Sequence, residues 1–99
     1  MKVKTIDVDA KEWFDKINGN SYFSAVVTVN YKMKGEKFFE IPFSYGYGNA
    51  YLDAAYSILK ENGILSGSDT ASLWRVCDEN GIILRYSKTE NCLKRDLIK

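Results

Sequence analysis

The sequence predicts a small α+β protein with a four- to five-stranded antiparallel sheet and two helices packed on one face, in the order β-α-β-β-α-β-β. Three observations lead to this class: two segments that alternate apolar and polar residues, two segments with apolar residues at helical spacing, and an Asn-Gly pair between further apolar stretches. With 99 residues, one proline and no internal repeat, the chain is expected to form a single domain over residues 1–99.

The first elements are predicted to be a short strand and a helix. Residues 2–8 are predicted to form a short strand, in which the alternating Lys2 and Lys4 favour an exposed edge. Asp9 and Glu12 then have the spacing of a helical capping box, and Asn18-Gly19-Asn20 contains the residues that commonly end a helix. Between them, the apolar side chains of residues 9–17 recur at the spacing of one helix face: Ala10, Trp13, Phe14 and Ile17.

The clearest strand signal lies in residues 21–33, where the odd positions are apolar, and the same parity resumes between Phe39 and Tyr47. Residues that face each other across two strands share one side of the sheet, so a short connection would pair Val29 with Ile41. We expect a three- or five-residue connection or a bulge. Because Pro42 cannot donate a backbone hydrogen bond, this strand is expected at an edge or bulged.

The second half is predicted to contain one helix and one hairpin. Residues 49–62 carry apolar side chains on one helix face and end at Asn-Gly. Residues 72–77 and 82–87 are predicted strands, because the Asn80-Gly81 pair between them is typical of a tight hairpin turn. From Lys88 onward, two leucines four residues apart indicate one or two helical turns.

Charge and composition argue against several classes of function. The chain has 14 basic and 13 acidic residues, so no overall field draws it to nucleic acid or an anionic membrane. It shows neither a signal peptide nor a long apolar run, and we expect a cytoplasmic, non-membrane protein. The sequence has no histidine, so it lacks His-dependent nucleophiles and Cys/His metal sites. We expect no enzyme activity, no cofactor and no metal, with Cys77 and Cys92 as free thiols.

One motif could bind a small ligand. The segment Tyr45-Gly46-Tyr47-Gly48-Asn49 leads from a strand into a helix N-terminus, where free N–H groups and the helix dipole can hold an anion. A full dinucleotide motif would need a third small residue at Tyr51, so the glycines could also serve only a tight turn. Four tyrosines near this motif are candidates for stacking on a base: Tyr22, Tyr45, Tyr47 and Tyr51.

Two basic regions are candidates for contact with a macromolecule. One surrounds the first hairpin loop, with an aromatic residue on the outward face of the strand: Lys32, Lys34, Lys37 and Phe38. The other lies in the last predicted hairpin and the tail: Arg75, Arg85, Lys94 and Arg95. Nucleic-acid binding there would weaken steeply with salt. The outward aromatic residue also favours protein contact, of which a homodimer through an edge strand is the simplest form.

Residues 18–24 and 42–48, with the following Tyr51-Leu52, resemble a pattern found in small uncharacterised proteins of phages and prophages. The resemblance covers residues 11–65 and implies an accessory protein, for which inhibition of host defence, as by anti-CRISPR proteins or nucleotide sponges, is a fitting role. It assigns no catalytic residues. Since one segment begins the central strand and the other ends its partner, we expect them side by side at one end of the sheet.

Together with the exposed aromatic residue, this resemblance implies a non-enzymatic phage-type protein that inhibits a component of its bacterial host by direct protein contact. The alternatives are a protein that sequesters a small nucleotide or anion, and a nucleic-acid-binding accessory protein. The predicted ligand or partner site comprises Asn20, Tyr22, Tyr45, Gly46, Tyr47, Gly48, Asn49 and Tyr51. A second predicted partner surface comprises Lys32, Lys34, Lys37 and Phe38.

Overall fold

In the computed structural model, which describes residues 2–97, three consecutive strands are followed by two helices, a fourth strand and a last helical turn. The strands are β1 (Thr5–Asp15), β2 (Asn20–Val29), β3 (Lys37–Tyr45) and β4 (Ile83–Thr89). The helices are α1 (Ala50–Glu61), α2 (Leu73–Glu79) and α3 (Lys94–Leu97). The α+β class is confirmed, but the predicted order of elements is wrong.

The sheet is mixed rather than antiparallel. Its strands lie in the order β3-β2-β1-β4, with β1 antiparallel to β2, β2 antiparallel to β3, and β4 parallel to β1. A parallel neighbour requires a crossover, and α1 and α2 provide it between β3 and β4. These two helices share one side of the sheet, which we call the core face, and α3 lies on the opposite side, the outer face.

The predicted helix over residues 9–17 is wrong, because β1 continues through most of it. Its even positions Ile6, Val8 and Ala10 are buried on the core face, while Asp9 and Lys11 alternate with them on the outer face. The helical spacing in this segment also fits a strand whose last residues are apolar on both faces. Pairing with β2 on one side and β4 on the other outweighs a weak local preference.

The predicted strand over residues 72–77 and its hairpin are also wrong. This segment forms α2, whose residues Leu73, Val76 and Cys77 lie on one helix face and are buried in the core. The Asn80-Gly81 pair ends the helix instead of forming a hairpin, with Gly81 in the left-handed conformation at φ +67°. An Asn-Gly pair suits both kinds of turn because both require positive φ.

The connection between β2 and β3 is longer than expected. The register places Val27 opposite Phe39 and Ala25 opposite Ile41, so the predicted pairing of Val29 with Ile41 is wrong and seven residues, 30–36, form the loop. The expected bulge is present in β3, which is an edge strand. Its register shifts between Phe23 and Ala25 of β2, so that two β3 residues, Pro42 and Phe43, lie opposite Ser24.

The core lies between the core face and the two longer helices. The predicted helix over residues 49–62 is confirmed as α1, whose Ala55 and Leu59 are fully buried against the sheet. The predicted strand over residues 82–87 is confirmed as β4, and α3 supplies the helical turn expected in the tail. Leu97 of α3 is buried on the outer face, so the tail is fixed across the sheet.

Candidate functional site

The two segments that carry the phage-protein resemblance lie side by side in the structure, as expected. Tyr22 at the start of β2 pairs with Tyr45 at the end of β3, and the Gly46 N–H donates to the Ser21 carbonyl at 3.0 Å. They lie where β1 and β3 end and β2 begins. We call this region the aromatic end, defined by Trp13, Phe14, Ile17, Tyr22, Phe43, Tyr45 and Tyr47.

Three rings from three neighbouring strands pack together on the outer face of the aromatic end. Tyr22 stacks on Phe43 with centroids 4.8 Å apart and on Trp13 with centroids 5.6 Å apart. Trp13 and Phe43 are 6.3 Å apart, and Tyr45 meets Tyr22 edge-on at 5.7 Å. The bulge at residues 42–43 makes this possible because it turns Phe43 toward the outer face. The contacts fix the ring orientations and give the surface a rigid base.

Several apolar side chains at the same end have no place in the core. Ile17 is 93% exposed, Tyr47 is 74% exposed and Tyr45 is 66% exposed, and about half of Phe14 is also exposed. Ile17 lies in the tight turn between β1 and β2, and the two tyrosines lie at and just beyond the end of β3. The aromatic end therefore presents large apolar side chains to solvent around a fixed stack of rings.

The Asp15 carboxylate orders the turn that carries Ile17. It accepts hydrogen bonds from the Asn18 side-chain amide at 2.8 Å, the Ile17 N–H at 3.0 Å and the Asn18 N–H at 3.3 Å. These bonds, led by that from the Asn18 side chain, hold the pKa of Asp15 below its ordinary value of 3.8. The turn is therefore fixed by an ionised carboxylate at neutral pH.

The C-terminal segment crosses the outer face beside the ring cluster. The Cys92 N–H donates to the Glu12 carbonyl at 3.0 Å, and the Lys94 ammonium lies 5.6 Å from the Trp13 ring and 6.0 Å from the Phe43 ring. Between α3 and the sheet lies a half-open cavity of about 430 Å³. Its lining includes Asp9, Ser24, Val26, Phe43, Asp96 and Leu97.

Gly46 and Gly48 are required by the local structure. A Cβ atom at Gly46 would lie 2.7 Å from the Ala50 Cβ and 3.0 Å from the Phe23 ring, so a side chain at this position would clash. Gly48 has φ +62°, a conformation that costs other residues free energy. The Lys88 ammonium binds the Gly48 carbonyl at 3.1 Å and the Glu12 carboxylate at 3.3 Å. The glycines and their neighbours thus fix the entry into α1.

The structure separates the predicted binding residues by accessibility. Tyr51 and Gly46 are buried, and burial, followed by the nearby Tyr86, raises the pKa of the Tyr51 hydroxyl. Neither residue can meet a ligand from solvent without rearrangement. The half-buried residues are Asn20 and Tyr22, and the exposed ones are Tyr45, Tyr47, Gly48 and Asn49.

The second predicted surface lies at the opposite end of the sheet. We call this region the lysine end, defined by Lys32, Lys34, Lys37 and Phe38. All four residues are exposed. The loop is shaped by internal contacts, since the Lys32 N–H donates to the Glu36 carboxylate at 2.6 Å. In the other predicted cationic set, Arg75 pairs with Glu79, Arg85 with Asp7, and Lys94 with the rings.

Groups that could support catalysis or metal binding are sparse in the described chain. Both cysteines are free. Burial raises the pKa of the Cys77 thiol to about 11, so this residue is protonated at neutral pH. Residues 2–97 contain no group of three or more carboxylates and thiols that could hold a metal ion. None of the helices in that range has the length and apolar character to cross a membrane.

Sequence reasoning missed Trp13, Phe14, Ile17 and Phe43 as surface residues. Helical spacing predicts the first three on the buried stripe of a helix, and strand parity predicts Phe43 on the buried face of β3. Two-residue periodicity from Ile6 onward was the available signal for Trp13.

No protein-family model, curated protein or solved structure matches this chain. The resemblance to phage proteins stays an expectation.

Proposed function

We propose that this protein is a non-enzymatic binding protein that acts by direct contact with another protein through its aromatic end. The observation that carries the proposal is the exposure of Ile17, Tyr45 and Tyr47 around three packed rings. Aromatic side chains of this kind dominate protein interfaces because they bury a large area while losing few rotatable bonds.

The rigid base strengthens this argument. A surface whose rings are already fixed loses less conformational entropy on binding than a flexible loop does. Trp13, Tyr22 and Phe43 hold one another in place, and the Asp15 turn holds Ile17 beside them. Exposed apolar side chains contribute little to the stability of the free protein, and grouped ones commonly mark interaction sites. The aromatic end therefore has the features of a partner surface formed in advance.

The resemblance to phage and prophage accessory proteins points to the kind of partner. In that setting the target would be a protein of the bacterial host, and inhibition of a defence component would be the biological outcome. Direct contact suffices for such inhibition, because covering a working surface of the target blocks it without any chemical step.

Site-specific photocrosslinking tests this proposal. A photoreactive phenylalanine analogue placed at Tyr47 samples the aromatic end, and the same analogue at Phe38 samples the lysine end as a matched control. In host cells, we expect a discrete crosslinked protein from position 47 and none from position 38. A crosslink confined to position 38, or identical products from both, would contradict the proposal.

The two alternative functions have separate tests. Sequestration of a nucleotide or anion at Gly46–Asn49 predicts a releasable compound of a few hundred daltons in native mass spectra of protein purified from cells. The exposed Gly48 and Asn49 at the N-terminus of α1 are the observation that favours it. Nucleic-acid binding at the lysine end predicts an affinity that falls steeply as salt is raised. A crosslinked protein partner with neither result would favour protein contact.

A further inference from the structure

The two edges of the sheet differ in how well they are protected from pairing with another strand. The β3 edge contains Pro42, which has no N–H, and a bulge beside it, and both features discourage strand addition. The β4 edge has neither. Its seven residues follow an unbroken register along β1, from Thr5 opposite Ile83 to Lys11 opposite Thr89. β4 is therefore a regular strand with one side open.

The backbone groups on the open side of β4 can be assigned. The Ile83 N–H donates to the Lys4 carbonyl at 3.0 Å, so the backbone of Ile83 faces β1. Because alternate residues of a strand direct their N–H and C=O groups to opposite sides, Leu84, Tyr86 and Lys88 direct theirs to the open edge. Three successive pairs of donors and acceptors are thus available to an incoming strand.

The two cations of β4 that could repel a second strand are each paired with a carboxylate of the same copy. Arg85 makes two hydrogen bonds to the Asp7 carboxylate, at 2.7 and 3.0 Å. The Lys88 ammonium lies 3.3 Å from Glu12, and its side chain is only 15% exposed. Both cations are therefore paired within the protein, while Ile83 and Tyr86 remain more than half exposed on opposite faces of the strand.

We propose that β4 pairs antiparallel with β4 of a second copy of this chain, with Tyr86 at the two-fold axis. In this register Tyr86 faces Tyr86, and Leu84 faces Lys88 of the second copy, so every outward backbone group of β4 gains a partner. On the outer face, Arg85 lies opposite Ser87 of the second copy. The Ser87 hydroxyl donates to Asp9 of its own copy at 2.9 Å, so Arg85 faces a small polar side chain and no like charges meet across the axis.

Other symmetric registers are less favourable. Centring the axis on Arg85 would place two arginines opposite each other, and centring it on Lys88 would do the same with two lysines. Centring it on Ser87 leaves Leu84 without a partner, and centring it on Leu84 requires Ile82, whose N–H already bonds to the Cys77 carbonyl at 2.8 Å. With the axis at Tyr86, the sheet continues across both copies and leaves the aromatic end of each copy exposed to solvent.

Disulfide trapping tests both the dimer and its register. In a Cys92→Ser background, Tyr86→Cys places two thiols at a hydrogen-bonded antiparallel pair, with Cα atoms about 5.5 Å apart, which suits a disulfide. The matched control Ser87→Cys separates the two Cα atoms beyond the about 7 Å limit. We expect rapid covalent dimer formation from Tyr86→Cys only. Equal trapping of both variants would overturn the register.

Analytical ultracentrifugation tests association without engineered thiols. We expect the wild-type chain to shift from monomer to dimer as its concentration rises. Ser87→Lys should weaken the dimer at least tenfold because it faces Arg85 of the second copy, whereas Ser87→Glu should strengthen it. Tyr47→Ala should leave the dimer unchanged, so failure of the aromatic-end proposal is distinguishable. A wild-type protein that stays monomeric up to about 1 mM would overturn the dimer.

Discussion

Both ends of the sheet expose apolar side chains, such as Tyr47 at the aromatic end and Phe38 at the lysine end, but the two ends are held in different ways. At the aromatic end, rings on three neighbouring strands pack against each other. At the lysine end, one buried side chain connects the end of β2 to the start of β1 through hydrogen bonds. Asn30, only 2% exposed, accepts hydrogen bonds from the Lys4 and Thr5 N–H groups at 2.7 and 3.3 Å and donates to the Lys2 carbonyl at 3.0 Å.

This difference indicates which end is suited to binding. Stacked rings give a broad rigid surface whose outer members remain accessible. A single buried amide instead fixes the start of a loop, and the loop beyond it has two further positive-φ residues, Lys32 and Gly35, and a high density of lysine. Rigid aromatic surface favours a specific protein interface, whereas exposed lysines chiefly favour solubility.

The largest effect on stability is expected from Asn30→Ala. The substitution removes three hydrogen bonds to backbone groups and leaves alanine at φ +53°, so the free energy of unfolding should fall by about 2–4 kcal/mol. Urea denaturation measures this. Asn30→Gly loses the same bonds without the backbone strain and should lose about 1 kcal/mol less. A loss below 1 kcal/mol for both variants would contradict this account of the lysine end.

The next largest effect is expected from Tyr22→Ala at the aromatic end. The central ring of the cluster contacts Trp13, Phe43 and Tyr45, and its removal should lower the free energy of unfolding by about 2 kcal/mol, less than for a fully buried aromatic. Phe38→Ala at the lysine end is the matched control and should change it by less than about 0.5 kcal/mol. A loss for Tyr22→Ala as small as that expected for Phe38→Ala would show that the ring contacts add no stability.

Acidification should loosen the turn that carries Ile17. Because the folded pKa of Asp15 is lowered, its stabilising contribution is complete above the ordinary value of 3.8 and is lost as pH falls through the folded pKa below it. Amide hydrogen exchange at Ile17 and Asn18 should therefore become less protected at pH values below 3.8. Asp15→Asn should show weak protection already at neutral pH. Unchanged protection in that variant would rule out this role for the carboxylate.

The smallest effect on stability is expected from Tyr47→Ala and Tyr45→Ala. Both side chains are mostly exposed, so Tyr47→Ala should change the free energy of unfolding by less than about 0.5 kcal/mol. Tyr45→Ala also loses its edge-on contact with Tyr22 and should change it by less than about 1 kcal/mol. Thermal unfolding measures this directly. A larger loss for Tyr47→Ala would mean that this side chain supports the fold and would contradict its assignment to an exposed binding surface.

The sequence predicted those elements whose periodicity allowed only one interpretation. β2 and α1 were predictable because each has an apolar stripe of one period. The end of α1 was also marked by Asn62-Gly63, whereas the predicted strand over residues 21–33 overruns β2, which ends at Val29. Residues 9–17 were not, because Trp13 and Phe14 fit both a helix face and the end of a strand apolar on both sides. α2 was not, because seven residues with apolar side chains at adjacent positions fit either structure.

The location of the candidate site could be predicted from the sequence, but the full set of residues that form it could not. Tyr22 and Tyr45 could be expected to meet, since hairpin partners share an end of the sheet. Trp13 could not be added, because its position depends on β1 lying beside β2, and Phe43 could not, because a bulge reverses its face. The burial of Tyr51 depends on how closely α1 packs at Gly46.

The most direct test of the central claim is the affinity of the captured partner for two matched variants, measured by isothermal titration calorimetry. The account predicts that Tyr45→Ala combined with Tyr47→Ala weakens binding about 30-fold or more, the effect of losing about 2 kcal/mol at an interface hot spot. Phe38→Ala should bind like the wild type. A loss of affinity confined to Phe38→Ala would contradict the claim and transfer the interface to the lysine end.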